Sequence, residues 1–286
     1  MMNFAILTVT YAGDMAQFEQ LCASIDTHMP AVDHYVLVDR SDLPLFNNKF
    51  ADERRHVIDL SRALPTLREF NLFGRRMWFH RSFRLARGWI YQQIAKIHFT
   101  RGLPHDAVVI VDSDAIFVRP IKADDITQDG KVPLFRAEAP PASVRHSRWQ
   151  EVARQLLGLP PAPYNGFDYI STAVIWSPAV VRLLVERIEK EKGRNWIASL
   201  LKYFRFSEYM LYGLFCDEAD GPQRELVSAT SRELCHCSWH YELDNPAGIA
   251  AFVEDLRPDH AAILIQSNLG IPDVRRRDIL GKFDVG

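Results

Sequence analysis

Ala107-Val108-Val109-Ile110-Val111-Asp112-Ser113-Asp114 decides the reading, because five apolar residues run without a break into two acids flanking a serine. A strand with no polar position is buried on both faces, as in parallel sheets covered by helices. Such sheets bind ligands beyond the carboxyl ends of their strands, which is where the acids stand. In extended chain Asp112 and Asp114 point to the same side and can share a hard divalent cation, Mn2+ or Mg2+, which prefers oxygen ligands. The competing reading is a turn whose acids only accept from backbone N–H groups.

Working outward, Phe4 to Thr10 is a second buried strand, followed by a turn at Tyr11-Ala12-Gly13. Asp14 stands where it can cap a helix. Met15, Phe18, Leu21, Cys22, Ile25 and Met29 keep helical spacing until Pro30. Tyr35 to Asp39 is the next strand, which completes a βαβ unit, and His56 to Leu60 follows as a short third. A helix over Gly88–Phe99 precedes the acidic motif, and Ala115 to Val118 continues as a strand after it. Further strands are predicted at Val132–Arg136, Thr172–Trp176, Glu233–Trp239 and Ala261–Gln266. Helices are predicted at Val144–Leu157, Pro178–Lys192 and, in one or two pieces, Asn195–Phe215. Ser177-Pro178 and Ser207-Glu208 read as capped helix starts. Alternating strands and helices mean an α/β fold with a mostly parallel central sheet flanked by helices.

Composition narrows the class further. The 286 residues carry 34 Lys and Arg against 36 Asp and Glu, a net charge of −2, with 48% hydrophobic and 24% charged residues. That balance excludes disorder, collagen and a disulfide scaffold, and it argues against a nucleic-acid partner. Four unevenly spaced cysteines (Cys22, Cys216, Cys235, Cys237) fit a reducing cytoplasm. No apolar run approaches the ~18 residues of a membrane span, which leaves peripheral membrane association open.

The acidic motif, together with Gly88-Trp89-Ile90-Tyr91-Gln92-Gln93-Ile94-Ala95-Lys96 before it, resembles GT-A-fold glycosyltransferases, the nucleotide-diphospho-sugar transferase superfamily, in a mostly uncharacterised bacterial branch. The similarity covers roughly Phe4 to His240, and only the Asp-x-Asp region is specific. The resemblance implies one GT-A-like, Rossmann-like domain over 1–286, with 1–120 as the nucleotide and metal half and 121–286 as the acceptor half. It implies a metal-dependent, hexosyl-type transfer from a nucleotide-diphospho-sugar donor to a hydroxyl of a glycan or lipid-linked acceptor, as in polysaccharide biosynthesis. Asp112, Asp114 and His240 would hold Mn2+ or Mg2+. Thr8, Thr10, Tyr11, Asp39, Gln93, Lys96 and Ser113 would meet the donor. Glu208 would act as base, with Asp168 in the sugar pocket as the second catalytic candidate.

Each assignment has a plainer alternative. Thr8 and Thr10 also read as ordinary strand residues, and Gln93 with Lys96 as a solvated helix face. Glu208 also reads as a first-turn acid favoured by the helix dipole. Arg75, Arg76, Arg81, Arg84 and Arg87, interleaved with Trp78, Phe79 and Phe83, read either as an anion-binding wall or as a solvated helix. Cys235-His236-Cys237-Ser238-Trp239-His240 offers zinc ligands, or a strand with buried cysteines on one face. A metal-dependent phosphohydrolase of the strand-Asp-x-Asp-x-Thr kind uses similar acids, but Ile116 stands at its Thr position. A non-catalytic nucleotide- or carbohydrate-binding module is the third alternative.

Overall fold

A computed structural model describes residues 3–63, 67–72, 75–80, 84–139, 144–203, 205–266 and 270–283. The chain opens with β1 (Phe4–Val9), a single 3-10 turn, α1 (Met15–His28), β2 (Asp33–Val38), α2 (Leu43–Phe50), β3 (Arg55–Asp59) and α3 (Leu60–Ala63). An antiparallel meander of β4 (Leu67–Leu72), β5 (Arg75–His80) and β6 (Arg84–Arg87) follows. The arginine-rich stretch is therefore strand, not helix. Its side chains, and Arg81 and Phe83 altogether, lie outside the described residues.

Next come α4 (Gly88–Gly102), β7 (Ala107–Val111), β8 (Ala115–Phe117), α5 (Ala123–Ile126), β9 (Val132–Phe135) and β10 (Ala137–Glu138). They lead to α6 (Val144–Leu157), β11 (Phe167–Asp168), β12 (Ala173–Trp176), α7 (Pro178–Lys192), α8 (Trp196–Leu200) and α9 (Glu208–Glu218). The chain closes with β13 (Val227–Thr230), β14 (Cys235–Cys237), α10 (Pro246–Glu254), β15 (Ala262–Leu264) and α11 (Asp273–Leu280).

The central sheet has five strands in the order β12-β7-β1-β2-β3. β7, β1, β2 and β3 run parallel, and β12 pairs antiparallel with β7, so the sheet is mostly parallel as expected. Alternation along each strand sends side chains to two cores. Leu7, Val108, Ile110 and Trp176 pack with Ile90, Ile94 and Ile97 of α4 and Leu184 and Ile188 of α7. Ile6, Val109, Val111 and Ile175 pack on the opposite face with Phe18, Leu21 and Ile25 of α1 and Phe46 of α2. Each such aliphatic side chain contributes roughly 1.5–3 kcal/mol by leaving water.

From β1 the chain moves outward one way to β2 and β3, and returns on the other side of β1 as β7. That reversal makes a crevice at the carboxyl ends of β1 and β7, the place where open α/β sheets seat ligands. A smaller sheet, β14-β15-β8, lies beyond it, with its own cluster around Ile116, Phe252, Ile263 and Ile279. The predicted Glu233–Trp239 strand stops at Cys237, and Ser238–His240 forms a 3-10 turn, so the alternation expected through His240 breaks there.

Candidate functional site

β7 delivers Asp112 to the crevice, and the chain then turns. Ala115 N–H donates to the Asp112 carbonyl at 3.2 Å, so Asp112-Ser113-Asp114 is a tight turn and not the extended triplet inferred from sequence. The Asp114 charge still lies near enough to Asp112 and Asp14 to lift both carboxyls. Asp112 looks toward α4 and α9, while the Ser113 hydroxyl donates to Asp14 at 3.0 Å and Arg276 donates to the Asp114 carbonyl at 2.7 Å. Asp14 does not cap α1 with its side chain, contrary to expectation, because it is engaged by Ser113. Burial first, and then the Asp114 charge, lift the Asp14 carboxyl, while hydrogen bonds from Ser113 and Tyr11 pull it back.

Lys96 organises the other side. Gln93 and Lys96, one helical turn apart on α4, share a face and meet the start of α9. Lys96 Nζ donates to the Tyr209 hydroxyl at 2.7 Å and lies 3.2 Å from Glu208 Oε1 and 3.8 Å from Asp112 Oδ1. The same ammonium sits 4.7 Å from the centre of the Tyr209 ring. Burial would depress the Lys96 ammonium, but Tyr209, Glu208 and Asp112 outweigh it and hold it well above the ordinary lysine value. The Glu208 side chain is only 5% exposed, so Lys96 compensates a carboxylate that would otherwise be buried without a countercharge. Gln93 Oε1 accepts the Glu208 N–H at 3.1 Å, and Ser207 Oγ accepts the Met210 N–H at 3.3 Å. Two orphan donors of the α9 terminus are thereby satisfied, one of them from a helix 115 residues away in sequence.

Asp112 is pushed up to about 6 by enclosure first, then by the Asp114 and Glu208 charges, against Lys96. Because 44% of its side chain still reaches solvent, we assign more of that shift to the two carboxylates than to enclosure.

Lys96, Asp112 and Glu208 open into one cleft of about 950 Å³, also lined by Trp89, Gln93, Arg148, Trp149, Ser171, Arg205 and Trp239. A second cleft of about 1010 Å³ shares Trp149, Ile170 and Trp239 with the first. Asp168 and His240 lie in this second cleft. Asp168 accepts the Ile170 N–H at 3.0 Å, and His240 is exposed beside Glu233. His240 is therefore not gathered with Asp112 and Asp114, and the described residues contain no group of three or more metal-binding side chains. The cysteine segment is likewise dispersed. Cys235 is fully buried, Cys237 Sγ meets Thr172 Oγ1 at 2.9 Å, and His236 Nε2 meets the Phe252 carbonyl at 2.8 Å.

Of the expected donor-side residues, Thr8 is displaced from that role. It is fully buried, and its hydroxyl meets His34 Nε2 at 3.1 Å. Arg55 Nε donates to His34 Nδ1 at 3.2 Å, so His34 is the neutral tautomer that donates from Nε2 to Thr8. Thr10, also buried, ends at the crevice with a hydroxyl that has no partner among the described residues. Tyr11 is exposed and hydrogen-bonds Asp14, and Asp39 is half-buried at the end of β2. Sequence reasoning missed Asp42, whose buried carboxylate accepts the Ala12 N–H at 2.8 Å and ties the β1 turn to the β2 loop. It also missed Arg148, Arg205 and the tryptophans of the cleft.

Residues 4–240 match the Family of unknown function (DUF6492), and the chain belongs to that family. No functionally curated protein matches it in sequence. Among solved structures, mouse xyloside xylosyltransferase 1 is similar at 12% identity and a TM-score of 0.47, over 94% of this chain and 100% of that one. An active-site mutant of LgtC is similar at 12% identity and a TM-score of 0.46, over 97% of this chain and 95% of that one. Among the described residues, no helix is long and apolar enough to cross a membrane.

Proposed function

We propose that this protein is a GT-A-like glycosyltransferase that moves a sugar from a nucleotide-diphospho-sugar to a hydroxyl of a glycan or lipid-linked acceptor. The observation that carries the reading is the pairing of Asp112, at the mouth of the β1–β7 crevice, with Glu208, 3.2 Å from the shared Lys96 ammonium, in one large cleft. The strand order β3-β2-β1-β7 supports it, since doubly wound sheets of that order seat nucleotides at such a crevice.

The donor set suits a divalent cation. The Asp114 charge lifts both the Asp14 and the Asp112 carboxyl, a crowding that a cation would relieve, and carboxylate oxygens with diphosphate oxygens are the ligands Mn2+ and Mg2+ prefer. Asp112 and Asp114 would hold the ion, which when bound supplies positive charge against the leaving diphosphate. His240 stands aside from this set. Thr10, Tyr11 and Asp39 would border the nucleotide, with Ser113 and Asp14 fixing the turn beneath it. Glu208 would accept the proton of the acceptor hydroxyl, and Lys96 would balance its charge and hold its carboxylate in place. Asp168, in the adjoining cleft, would accept hydrogen bonds from glycan hydroxyls. Both halves of the chain, 1–120 and 121–286, thus contribute to one reaction centre.

The test is calorimetric titration of UDP and GDP with and without Mn2+. The reading expects Mn2+-dependent binding of one of them that Asp112→Ala removes. Hydrolysis of generic phosphate esters abolished by Asp112→Asn, without nucleotide binding, would instead favour a phosphohydrolase.

A further inference from the structure

The cleft beside Asp112 carries two cations that the donor site does not use. Arg148, on α6, and Arg205, before α9, are both exposed and both line it, and neither forms an ion pair with a described carboxylate. Lys96, by contrast, is committed to Glu208, Asp112 and Tyr209. The same wall holds two sealed polar atoms without partners among the described residues, Ser171 Oγ and Gln93 Nε2, on residues 2% and 1% exposed. Around them stand Trp89 and Trp239, 47% and 41% exposed, with the Trp89 and Trp149 rings 5.8 Å apart. A polar atom held buried and unpaired is destabilising, and both residues line the cleft, so a turn of the Ser171 hydroxyl or the Gln93 amide toward it would let a substrate hydroxyl pair with them. Broad indole faces suit a sugar ring, and guanidinium forks suit an oxyanion.

We propose, resting on the glycosyltransferase reading, that this cleft binds a phosphate-bearing acceptor, with the phosphate between Arg148 and Arg205 and the sugar or glycan body against the tryptophans. Two guanidinium forks match a phosphate better than a carboxylate. A phosphate monoester carries nearly two charges and three strong acceptor oxygens, whereas one fork already satisfies a carboxylate. Bound this way, the acceptor shares the cleft with Glu208 and Asp112.

The test uses the full chain and the Arg148→Ala/Arg205→Ala double variant, both exposed positions that leave the core intact. Glucose-6-phosphate is titrated against glucose to probe a soluble source, with an expected preference of at least about tenfold for the phosphorylated sugar. Phosphatidylcholine vesicles with and without a polyprenyl phosphate probe a lipid source. One phosphate source is expected to bind in a salt-sensitive manner and to lose at least about tenfold affinity in the double variant. Mn2+-dependent nucleotide affinity is expected to stay unchanged. The proposal is overturned if neither phosphate source binds, if the double variant binds it as the parent does, or if the variant loses nucleotide affinity, which would make the pair a donor clamp. Failure of the parent to bind any nucleotide with Mn2+ would sink the glycosyltransferase reading, while the phosphate titration would still decide whether the arginines bind an anion.

Discussion

Replacing Lys96 with methionine keeps the apolar stem of the side chain and removes the ammonium that faces Glu208 at 3.2 Å and Tyr209 at 2.7 Å. The Glu208 side chain is only 5% exposed, so its carboxylate would lose its countercharge without gaining water. Breaking a buried pair from one side costs about 3–5 kcal/mol. Proton uptake caps that cost, because a carboxyl with a reference value of about 4.3 is held protonated at pH 7 for about 3.7 kcal/mol, at 1.36 kcal/mol per unit. At pH 5 the same step costs only about 1 kcal/mol. The lost hydrogen bond to Tyr209 adds about 1 kcal/mol at either pH.

The variant is therefore expected to lose about 4–5 kcal/mol at pH 7 and about 2 kcal/mol at pH 5. The direction follows from linkage: the native variant would bind a proton that the unfolded chain has released, so its stability falls as pH rises through this window. In the parent, Lys96 is held well above its ordinary value, so its stabilisation is fully present between pH 5 and 7 and is lost only in strong alkali. Urea unfolding of both proteins at the two pH values reads the difference. The added Glu208→Gln change should shrink the pH dependence, leaving the part that comes from Asp112, whose carboxyl rises further without Lys96 beside it. A loss below about 1 kcal/mol at pH 7, or an equal loss at both pH values, would refute the buried-pair argument.

Other expectations can be checked independently. Asp112→Asn removes a charge crowded by Asp114 and Glu208, so urea stability should hold within about 0.5 kcal/mol while Mn2+-dependent nucleotide affinity falls at least about tenfold. Burial first, then Arg55 and His56, lower His34 to about 3. The unfolded chain therefore binds the extra proton below about pH 6.5, and stability falls on acidification from there. Over that window His34→Gln should flatten the slope by about 1.4 kcal/mol per pH unit, read by unfolding at a series of pH values. At Gly213, in α9, an added Cβ would lie 2.1 Å from the buried Tyr169 ring. Gly213→Ala should cost about 1–3 kcal/mol despite the better helix propensity of alanine, as measured by urea unfolding.

Much of the frame was legible because burial on both faces leaves a direct trace in the residues. Ala107–Val111 and Phe4–Val9 carry almost nothing polar, so their strand character and their parallel neighbours could be read locally. Gln93 and Lys96 could be placed on one helix face from their spacing. Their partners could not, because Glu208 and Tyr209 are more than a hundred residues away and only tertiary packing brings them to α4. The turn at Ser113-Asp114 was hidden by the β-forming residues on both sides, where a local hydrogen bond and the pull of Asp14 and Arg276 decide the conformation. Thr8 looked like a crevice residue only because its strand ends there. Its burial depends on His34 across the sheet, held in turn by Arg55. His240 lies apart from Asp112 for a related reason, since the strand predicted to carry it stops at Cys237 and the following 3-10 turn sets it near Glu233.

The central claim is that Asp112 and Asp114 hold a metal–nucleotide diphosphate at the β1–β7 crevice. Titrating UDP and GDP into the parent chain with Mn2+, with chelator, and into Asp112→Ala tests it most directly. The account predicts binding of one nucleotide with Mn2+, at least about tenfold weaker in chelator and in the variant. Nucleotide binding indifferent to both the metal and Asp112, or no binding at all, would contradict it.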